Sequence, residues 1–293
     1  MEVHTDMFNE RLSQERLGRQ RGFLKGGARL IIAAIIAIVS LITYYSSTSV
    51  NPVTGEKQRL GGITAEQEIA LGLQAAPQMA QQFGGLTRDT RARSVVSEVG
   101  RRLVEASDAK KSPYKFEFHV LADRETVNAF ALPGGQIFIT EALLRQLETE
   151  GQLAGVLGHE IGHVVGRHGA EHMAKARLTQ GLTGAAVMAT YEPGNPGSVC
   201  AAHMAMLVGQ MINMKFGRED ELESDRFGVQ YLADAGYDPR SMVKVMQVLK
   251  RAGGGGRQPE FFSTHPNPEN RIQRIEAAIK ELFPNGVPSG LKP

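Results

Sequence analysis

The 293-residue sequence has little cysteine, little excess charge and few long apolar runs, and each shortage excludes a class of protein. Cys200 is the single cysteine, so no disulfide framework can form within the chain, and it is not placed as a lipid-anchored cysteine behind a signal sequence. The net charge of +2, without a basic stripe that carries aromatic residues, argues against a nucleic-acid partner. The length allows one large domain or two small ones with an ample core.

A continuous apolar run from Leu30 to Ile42 follows a polar, arginine-rich amino-terminal tail of residues 1–29. Basic residues before the run and few after it predict a cytoplasmic amino terminus, with the bulk of the chain across the membrane. The run is short for a span of about 20 residues, and it also fits the core of a cleaved signal, with Ser47 and Ser49 near the cut. The long tail favours a retained single-pass anchor over residues 30–45. A buried soluble helix is a third alternative, weakened by the lack of a polar face.

The chemistry of the chain is concentrated in an HExxH motif that begins at His159 and ends at His163. Two histidines four residues apart lie on one face of a helix, so both imidazoles can bind one metal ion. Zinc suits this site, because it accepts imidazole and carboxylate ligands and its catalytic sites keep one position open for water. Glu160 is rotated off that line and can act on the water as a general base.

The motif is predicted to lie in a buried helix. Thr149 and Gln152 have the pattern of a capping box, and apolar residues from Leu153 to Val164 follow at helical spacing. Glycine recurs every three or four residues from Gly151 onward, although each interior glycine costs about 0.8–1 kcal/mol relative to alanine. A seam against a closely packed backbone would offset that cost, so we expect the helix to lie between other elements.

A third ligand is predicted downstream of the motif. His168 falls one residue early for an HExxHxxGxxH pattern, and one residue rotates a helical side chain by about 100°. Glu221 and Asp225 are four residues apart and share one face of a helix that ends near Gly236. One carboxylate can bind the metal while the other fixes the tautomer of a ligand histidine. A solvated acidic helix face is the alternative interpretation.

Several segments together resemble the gluzincin zinc metallopeptidases that include the CAAX prenyl proteases, HtpX and BepA, and especially their BepA/Oma-like branch with a soluble catalytic domain. The segments are HEIGHVVGRHGAE, ELESD, STHP (Ser263–Pro266) followed by Arg271, NAFALPGGQIFIT (Asn128–Thr140) and NPVTGEKQ (Asn51–Gln58). The resemblance covers most of the chain, from about Asn51 to Phe283. The multi-span members of the family carry several hydrophobic helices that this chain lacks, so we do not expect prenyl-protease activity.

The resemblance implies a zinc endopeptidase with one Zn²⁺ per chain, acting on misfolded or unassembled membrane and envelope proteins in protein quality control. The implied zinc ligands are His159, His163 and Glu221. Glu160 would be the general base, and Asp225 would hold a ligand imidazole. His265 and Arg271 are candidate donors to the developing oxyanion. In the family a histidine in the equivalent loop can plug the zinc site, so His265 could instead be a removable fourth ligand that keeps the enzyme latent.

The predicted fold is α+β and mainly helical: a zincin-like domain over residues 63–284 with a small β-sheet beside the HExxH helix. Residues 46–62 read as a linker and residues 285–293 as a tail. Helices are predicted over 64–83 and 89–106, and strands over 115–120, 130–132 and 136–140. A helical pair is predicted within 184–214, around His203, a flexible loop over 251–258, and a last helix from Pro268, capped by Asn267, to Leu282.

The edge strand of the sheet is predicted to pair with an extended polypeptide substrate. The residues expected to bind substrate there are Asn128, Ala129, Phe130 and Ala131. Plain structural packing of this hairpin is an equally weighted alternative. The expected partners are polypeptides and a membrane, and the sequence leaves a homo-oligomer open. Two other functions remain: a membrane-protein assembly factor with chaperone-like binding and latent protease activity, and a hydrolase of non-peptide amides.

Overall fold

A computed structural model describes residues 28, 30–190, 216–253, 259–266 and 270–293, with backbone alone for 186–190. Over these residues the chain is mainly helical, as predicted, and it has two small sheets where one was expected. The helices are α1 (30–46), α2 (Ala65–Gln82), α3 (Thr90–Ala106), α4 (Glu141–Leu144), α5 (Glu150–Val165), α6 (His168–Thr190), α7 (Arg218–Asp234), α8 (Ser241–Ala252), α9 (Phe261–Thr264) and α10 (Arg271–Leu282). A 3₁₀ helix spans Asp108–Lys111, and the strands are β1 (Thr48–Val50), β2 (Lys57–Arg59), β3 (Glu117–Leu121), β4 (Ala129–Leu132) and β5 (Gln136–Thr140).

The larger sheet has the strand order β3-β5-β4. β3 runs parallel to β5, whereas β4 runs antiparallel to it with Phe130 opposite Phe138. The predicted strand–turn–strand unit is therefore confirmed, and Gly134 and Gly135 adopt the positive φ angles, 83° and 105°, that its turn requires. Within the described residues β4 is an edge strand, and it packs against α5.

α5 lies at the centre of the core, and every residue from Gly151 to Val165 is buried. Its principal neighbour is α7, and it also contacts α3, α8 and β4. A Cβ added at Gly158 would lie 3.3 Å from the Cα of Gly228, and one added at Gly162 would lie 3.0 Å from the Cα of Ser224. The predicted glycine seam is thus confirmed, and it lets the α7 backbone approach the HExxH helix closely.

The start of α5 differs from the predicted capping box in one hydrogen bond. The Thr149 hydroxyl accepts from the Gln152 N–H at 3.3 Å, as expected. The Gln152 side chain, however, accepts from the N–H of Glu148 at 2.6 Å, so it does not close the box on Thr149. One reciprocal bond of the box is therefore replaced by a contact to the residue before the cap.

The start of α10 was predicted too early. The helix begins at Arg271 and not at Pro268, because Asn270 adopts a left-handed φ of 65° that a right-handed helix cannot continue. Asparagine tolerates this conformation better than most residues. The predicted cap, Asn267, and residues 268–269 lie outside the described residues.

Residues 46–62, predicted as a linker, instead carry the antiparallel hairpin of β1 and β2. The side chain of Asn51 donates to the Val165 carbonyl at 2.7 Å, and the side chain of Gln58 donates to the Gly166 carbonyl. The linker prediction was wrong because these two amides satisfy carbonyls at the end of α5, which a helix leaves without intrahelical partners. The hairpin therefore belongs to the support of the HExxH helix.

Residues 285–293 do not form a loose tail either. The Lys292 N–H donates to the Gly236 carbonyl at 3.0 Å, and the Gly151 N–H donates to the Pro293 carbonyl at 2.8 Å. These contacts bind the segment to the end of α7 and to the start of α5. The tail prediction overlooked them because they join residues far apart in the sequence.

α1 exposes large apolar side chains, and Leu30, Ile35 and Ile42 are each more than half exposed, at 61%, 54% and 59%. In the described parts of the chain, no helix combines the length and apolarity needed to cross a membrane. The predicted helical pair over 184–214 is only partly covered, because α6 continues to Thr190 and residues 191–215, which include Cys200 and His203, lie outside the described residues. Residues 254–258 of the predicted glycine loop lie outside them too.

Candidate metal centre and active site

Helices α5 and α7 bring the three predicted ligands together. His159 and His163 lie one turn apart, with their Nε2 atoms separated by 3.1 Å. The carboxylate oxygens of Glu221 lie 3.5 Å from His159 Nε2 and 3.4 Å from His163 Nε2. All three side chains are buried, so the site is not a solvated acidic face.

His265, which follows α9, joins this group as a fourth donor. Its Nδ1 lies 3.0 Å from Glu221 Oε1 and 3.4 Å from His159 Nε2, and its side chain is fully buried. One donor atom from each of the four residues lies within 4.8 Å of the others. We refer to these four residues as the donor group.

The spacing of the donor group fits a tetrahedral zinc ion. Zinc binds nitrogen and oxygen ligands at about 2.0–2.2 Å, so neighbouring ligand atoms are separated by roughly 3.3 Å. The separations given above range from 3.0 to 3.5 Å. Glu221 Oε2 also has no hydrogen bond of good geometry within the described residues, although Arg271 Nη1 lies 3.0 Å away. A cation at the centre of the group would satisfy this buried oxygen.

Asp225 and Arg271 support the donor group from behind. Asp225 Oδ1 lies 2.9 Å from His159 Nδ1, which directs Nε2 of the same imidazole toward the other donors. Arg271 donates to both oxygens of Asp225, at 2.7 and 2.9 Å, and its Nη1 lies 3.0 Å from Glu221. Arg271 thus contacts both carboxylates from the side of Asp225, and its Nη1 has no hydrogen bond of good geometry within the described residues.

The protonation of the donor group follows from its burial and its charges. Burial holds the pKa of His163 well below its ordinary value, so its imidazole is in the neutral form that binds metals. Burial alone would also lower the pKa of His159, but its hydrogen bonds to Asp225 and Glu221 outweigh burial and raise the pKa to about 9. Burial alone would raise the pKa of Glu221, but the neighbouring histidines hold it well below its usual range. Glu221 is therefore a carboxylate, which suits a metal ligand.

Glu160 lies beside the donor group but is not one of its members, and its environment suits a general base. Both of its carboxylate oxygens are buried and have no hydrogen-bond partner within the described residues, and His265 Nε2 lies 3.6 Å from Oε1. Burial raises the pKa of Glu160 above its ordinary value. A carboxylate with a raised pKa is a stronger proton acceptor, as a general base near neutral pH should be.

Two residues near the site were not predicted. His168, considered from the sequence only as a ligand, is 1% exposed and places its Nδ1 2.9 Å from Nδ1 of His163, on the side away from the donor group. Phe216 stacks on the ring of His163 with a centroid separation of 3.8 Å. The spacing after the motif gave a weak signal for His168, but nothing in a single sequence identifies Phe216.

The structure places the predicted substrate-binding residues in and just before β4, the edge strand of the sheet over the described residues, and most of their side chains are buried. Asn128, Ala129 and Phe130 are buried, and the ring of Phe130 stacks on Phe138 in the core. Ala131 is partly exposed and lines a narrow cleft that also includes His163 and Phe216. Contact with a substrate through the side chains of Asn128 to Phe130 is therefore excluded in this conformation, because core packing already occupies them.

The chain belongs to peptidase family M48: residues 90–279 match this family, and they contain the HExxH motif and Glu221. It is 32% identical over 237 residues to the Beta-barrel assembly-enhancing protease of Escherichia coli K12, which covers 78% of this chain and 48% of that protein. It is 29% identical over 243 residues to the Mitochondrial metalloendopeptidase OMA1 of Schizosaccharomyces pombe, which covers 82% of this chain and 69% of that protein. The predicted family is thus confirmed, and the chain spans about half the length of the first of these relatives.

Proposed function

We propose that the protein is a zinc-dependent endopeptidase in which His159, His163 and Glu221 bind the zinc ion. The observation that carries the proposal is the donor group, whose separations of 3.0–3.5 Å match the edges of a zinc tetrahedron. Membership of a peptidase family and the metallopeptidase relatives support the same activity. A structural zinc site would have no use for the carboxylate of Glu160, which is buried and has no hydrogen-bond partner among the residues that the structure describes.

A zinc ion held by His159, His163 and Glu221 would act as a Lewis acid, lowering the pKa of its water to about 7 and polarising the scissile carbonyl. Glu160 accepts a proton from the attacking water and returns it to the leaving amine, and its raised pKa favours the first transfer. Asp225 keeps His159 in the tautomer that presents Nε2, and Arg271 balances the charge of Asp225 and Glu221.

We propose that a polypeptide substrate binds as an added strand along β4. The Thr140 N–H donates to the Asn128 carbonyl, so the alternation of an antiparallel pair directs the backbone groups of Ala129 and Ala131 away from β5. Ala131 is partly exposed, whereas Ala129 is fully buried. An extended segment can pair with the outward backbone groups of Ala131, and pairing through the backbone accommodates many sequences. The edge strand favours a peptide over a non-peptide amide. Of the predicted substrate residues, Ala131 would therefore act through its backbone.

We propose that His265 is a removable plug rather than an oxyanion donor. Its Nδ1 occupies the fourth position of the donor group, which catalytic zinc sites leave open for water. The neighbouring Phe216 donates its N–H to the Thr264 carbonyl, and Phe261 donates its N–H to the Val127 carbonyl just before β4. The short helix that precedes the plug is therefore hydrogen-bonded to the chain two residues before the strand that would receive the substrate.

We propose that residues 30–45 attach the protein to the bacterial inner membrane and that the catalytic domain lies in the periplasm. The exposed apolar side chains of α1 and the arginine-rich tail before it support this location, and a soluble periplasmic form after cleavage is the alternative. The substrates would be misfolded or unassembled envelope proteins. The buried, plugged site also favours a second function, an assembly factor with chaperone-like binding and latent protease activity, in keeping with the name of the Escherichia coli relative.

Casein digestion by the wild type and by Glu160→Gln, with zinc content measured for both, tests the proposed activity. We expect wild-type protein to digest casein and the variant to be inactive while both hold one zinc per chain, because the change removes the base and leaves the ligands. His265→Ala serves as an unplugged reference if the wild type is latent. Equal digestion by the variant, or wild-type protein without zinc, would contradict the proposal.

A further inference from the structure

We infer that His168 and Glu223 form a hydrogen-bonded relay that positions His163 as a metal ligand, an inference that rests on the proposed zinc site. His163 Nδ1 lies 2.9 Å from His168 Nδ1, and His168 Nε2 lies 3.0 Å from Glu223 Oε2. The Ser224 hydroxyl lies 3.4 Å from the same Nδ1 of His168. His168 is therefore a positioning residue, because it contacts a ligand and not the donor atoms.

The relay permits one consistent set of tautomers. A neutral His163 that presents Nε2 to a metal carries its proton on Nδ1, so Nδ1 donates to His168. His168 Nδ1 must then accept and its proton must lie on Nε2, which donates to Glu223. The carboxylate thus fixes the orientation of His168, and His168 fixes the orientation of His163. Hydrogen bonds of this kind also make a ligand imidazole more basic.

A break in the helix makes the relay possible. In an uninterrupted helix a residue five positions after His163 would lie about 140° away around the axis. Instead α5 ends at Val165, and Arg167 adopts a left-handed φ of 56°, so the chain turns before α6 begins at His168. The buried carboxylate of Glu68 accepts from Arg167 Nε at 2.8 Å and stabilises this turn. This turn places the imidazole of His168 beside that of His163, with the two rings nearly perpendicular and their centroids 5.0 Å apart.

The two ligand histidines are thus supported differently. His159 donates directly to Asp225, whereas His163 reaches a carboxylate through a second imidazole. A second histidine–carboxylate contact joins α6 and α7 and resembles the contact between His168 and Glu223. His172 Nε2 lies 2.7 Å from Asp220, one turn further along α6. His172 is not a member of the donor group, so it provides a control with the same chemistry.

The test compares His168→Leu with His172→Leu in the full-length protein. Zinc affinity is measured by chelator competition, the visible spectrum of the Co²⁺ form reports the geometry of the ligands, and thermal unfolding is followed without metal. We expect His168→Leu to weaken zinc binding by about 10- to 100-fold and to change the Co²⁺ spectrum, whereas His172→Leu stays within about twofold of wild type. His168→Gln, whose amide oxygen can accept from His163, should recover part of the affinity.

Glu223→Met keeps the relay testable if His168→Leu does not fold, because the Glu223 side chain is 20% exposed and methionine has a similar size but offers His168 no oxygen acceptor. We expect this variant to lose zinc affinity, by less than His168→Leu. Wild-type affinity and an unchanged spectrum in folded His168→Leu or in Glu223→Met would overturn the relay alone. Equal losses in His168→Leu and His172→Leu would overturn it too, since helix packing would then explain both. A wild-type protein that binds no zinc would overturn the relay together with the proposed function.

Discussion

Replacement of His265 by alanine is the most informative perturbation of the site. The imidazole is fully buried, its Nδ1 lies 3.0 Å from Glu221, and its ring stacks on Phe261 at a centroid separation of 4.4 Å. In His265→Ala these contacts are lost, and the fourth position of the donor group becomes open. If the imidazole is a plug, the variant should therefore be more active than the wild type.

The expected size of the effect follows from the bond that is removed. A hydrogen bond to a charged group contributes about 1.5–3 kcal/mol, and about 1.4 kcal/mol corresponds to a tenfold change in an equilibrium. The fraction of open enzyme, and with it kcat/KM, should rise roughly 10- to 100-fold while the wild type is mostly plugged. The assay is cleavage of a fluorogenic casein in excess zinc, because loss of a ligand also weakens metal binding. His172→Ala, which removes a histidine outside the donor group, is the control.

Two results would refute this reasoning. Lower activity with zinc still bound would mean that His265 stabilises the transition state, the alternative role that the sequence left open. Activity equal to the wild type would eliminate both roles, since a side chain in contact with Glu221 and 3.6 Å from Glu160 would then have no influence on catalysis.

Three further predictions concern the metal, the core and the edge strand. The pKa of His159 is about 9 without metal, and zinc must displace that proton, so zinc affinity should rise about tenfold from pH 7 to pH 8. Calorimetry in buffers of different ionisation enthalpy would measure the proton release. A zinc affinity that does not change with pH would contradict this prediction. Gly162→Ala should destabilise the protein by about 1–3 kcal/mol in urea unfolding, since its Cβ would lie 3.0 Å from the Cα of Ser224, whereas Gly184→Ala, with open space around it, should stabilise α6 by up to about 1 kcal/mol. Ala131→Pro removes an N–H that points away from β5 and that would pair with the substrate, but that an edge strand does not need for folding. KM for casein should therefore rise while the melting temperature stays unchanged. A fall in melting temperature with an unchanged KM would show that this N–H serves the fold and not the substrate.

The parts of the site that depend on local spacing could be predicted from the sequence. The HExxH histidines and the Glu221–Asp225 pair each follow from residues four apart on a helix, and the recurring glycines predicted that another backbone packs closely on the HExxH helix. The hairpin before α4 was marked by its Pro-Gly-Gly turn. In each case a short range of sequence determines the geometry.

The parts that depend on a local break or on distant contacts could not be predicted. His168 reaches His163 only because Arg167 interrupts the helix, and arginine at positive φ has no sequence signature. The linker prediction failed for residues 51–58 because the partners of Asn51 and Gln58 lie more than a hundred positions further along. Their polar side chains look like a surface loop until the end of α5 is brought beside them.

The wide separation of the donor group in the sequence affects when the protein can become active during its synthesis. His159 and His265 are 106 positions apart, and Glu221 lies between them. A nascent chain that extends only through α6 already contains the HExxH motif but has no carboxylate to complete the ion's coordination. Under the proposed function, the hydrolytic site can therefore form only after α7 has been synthesised and has packed against α5.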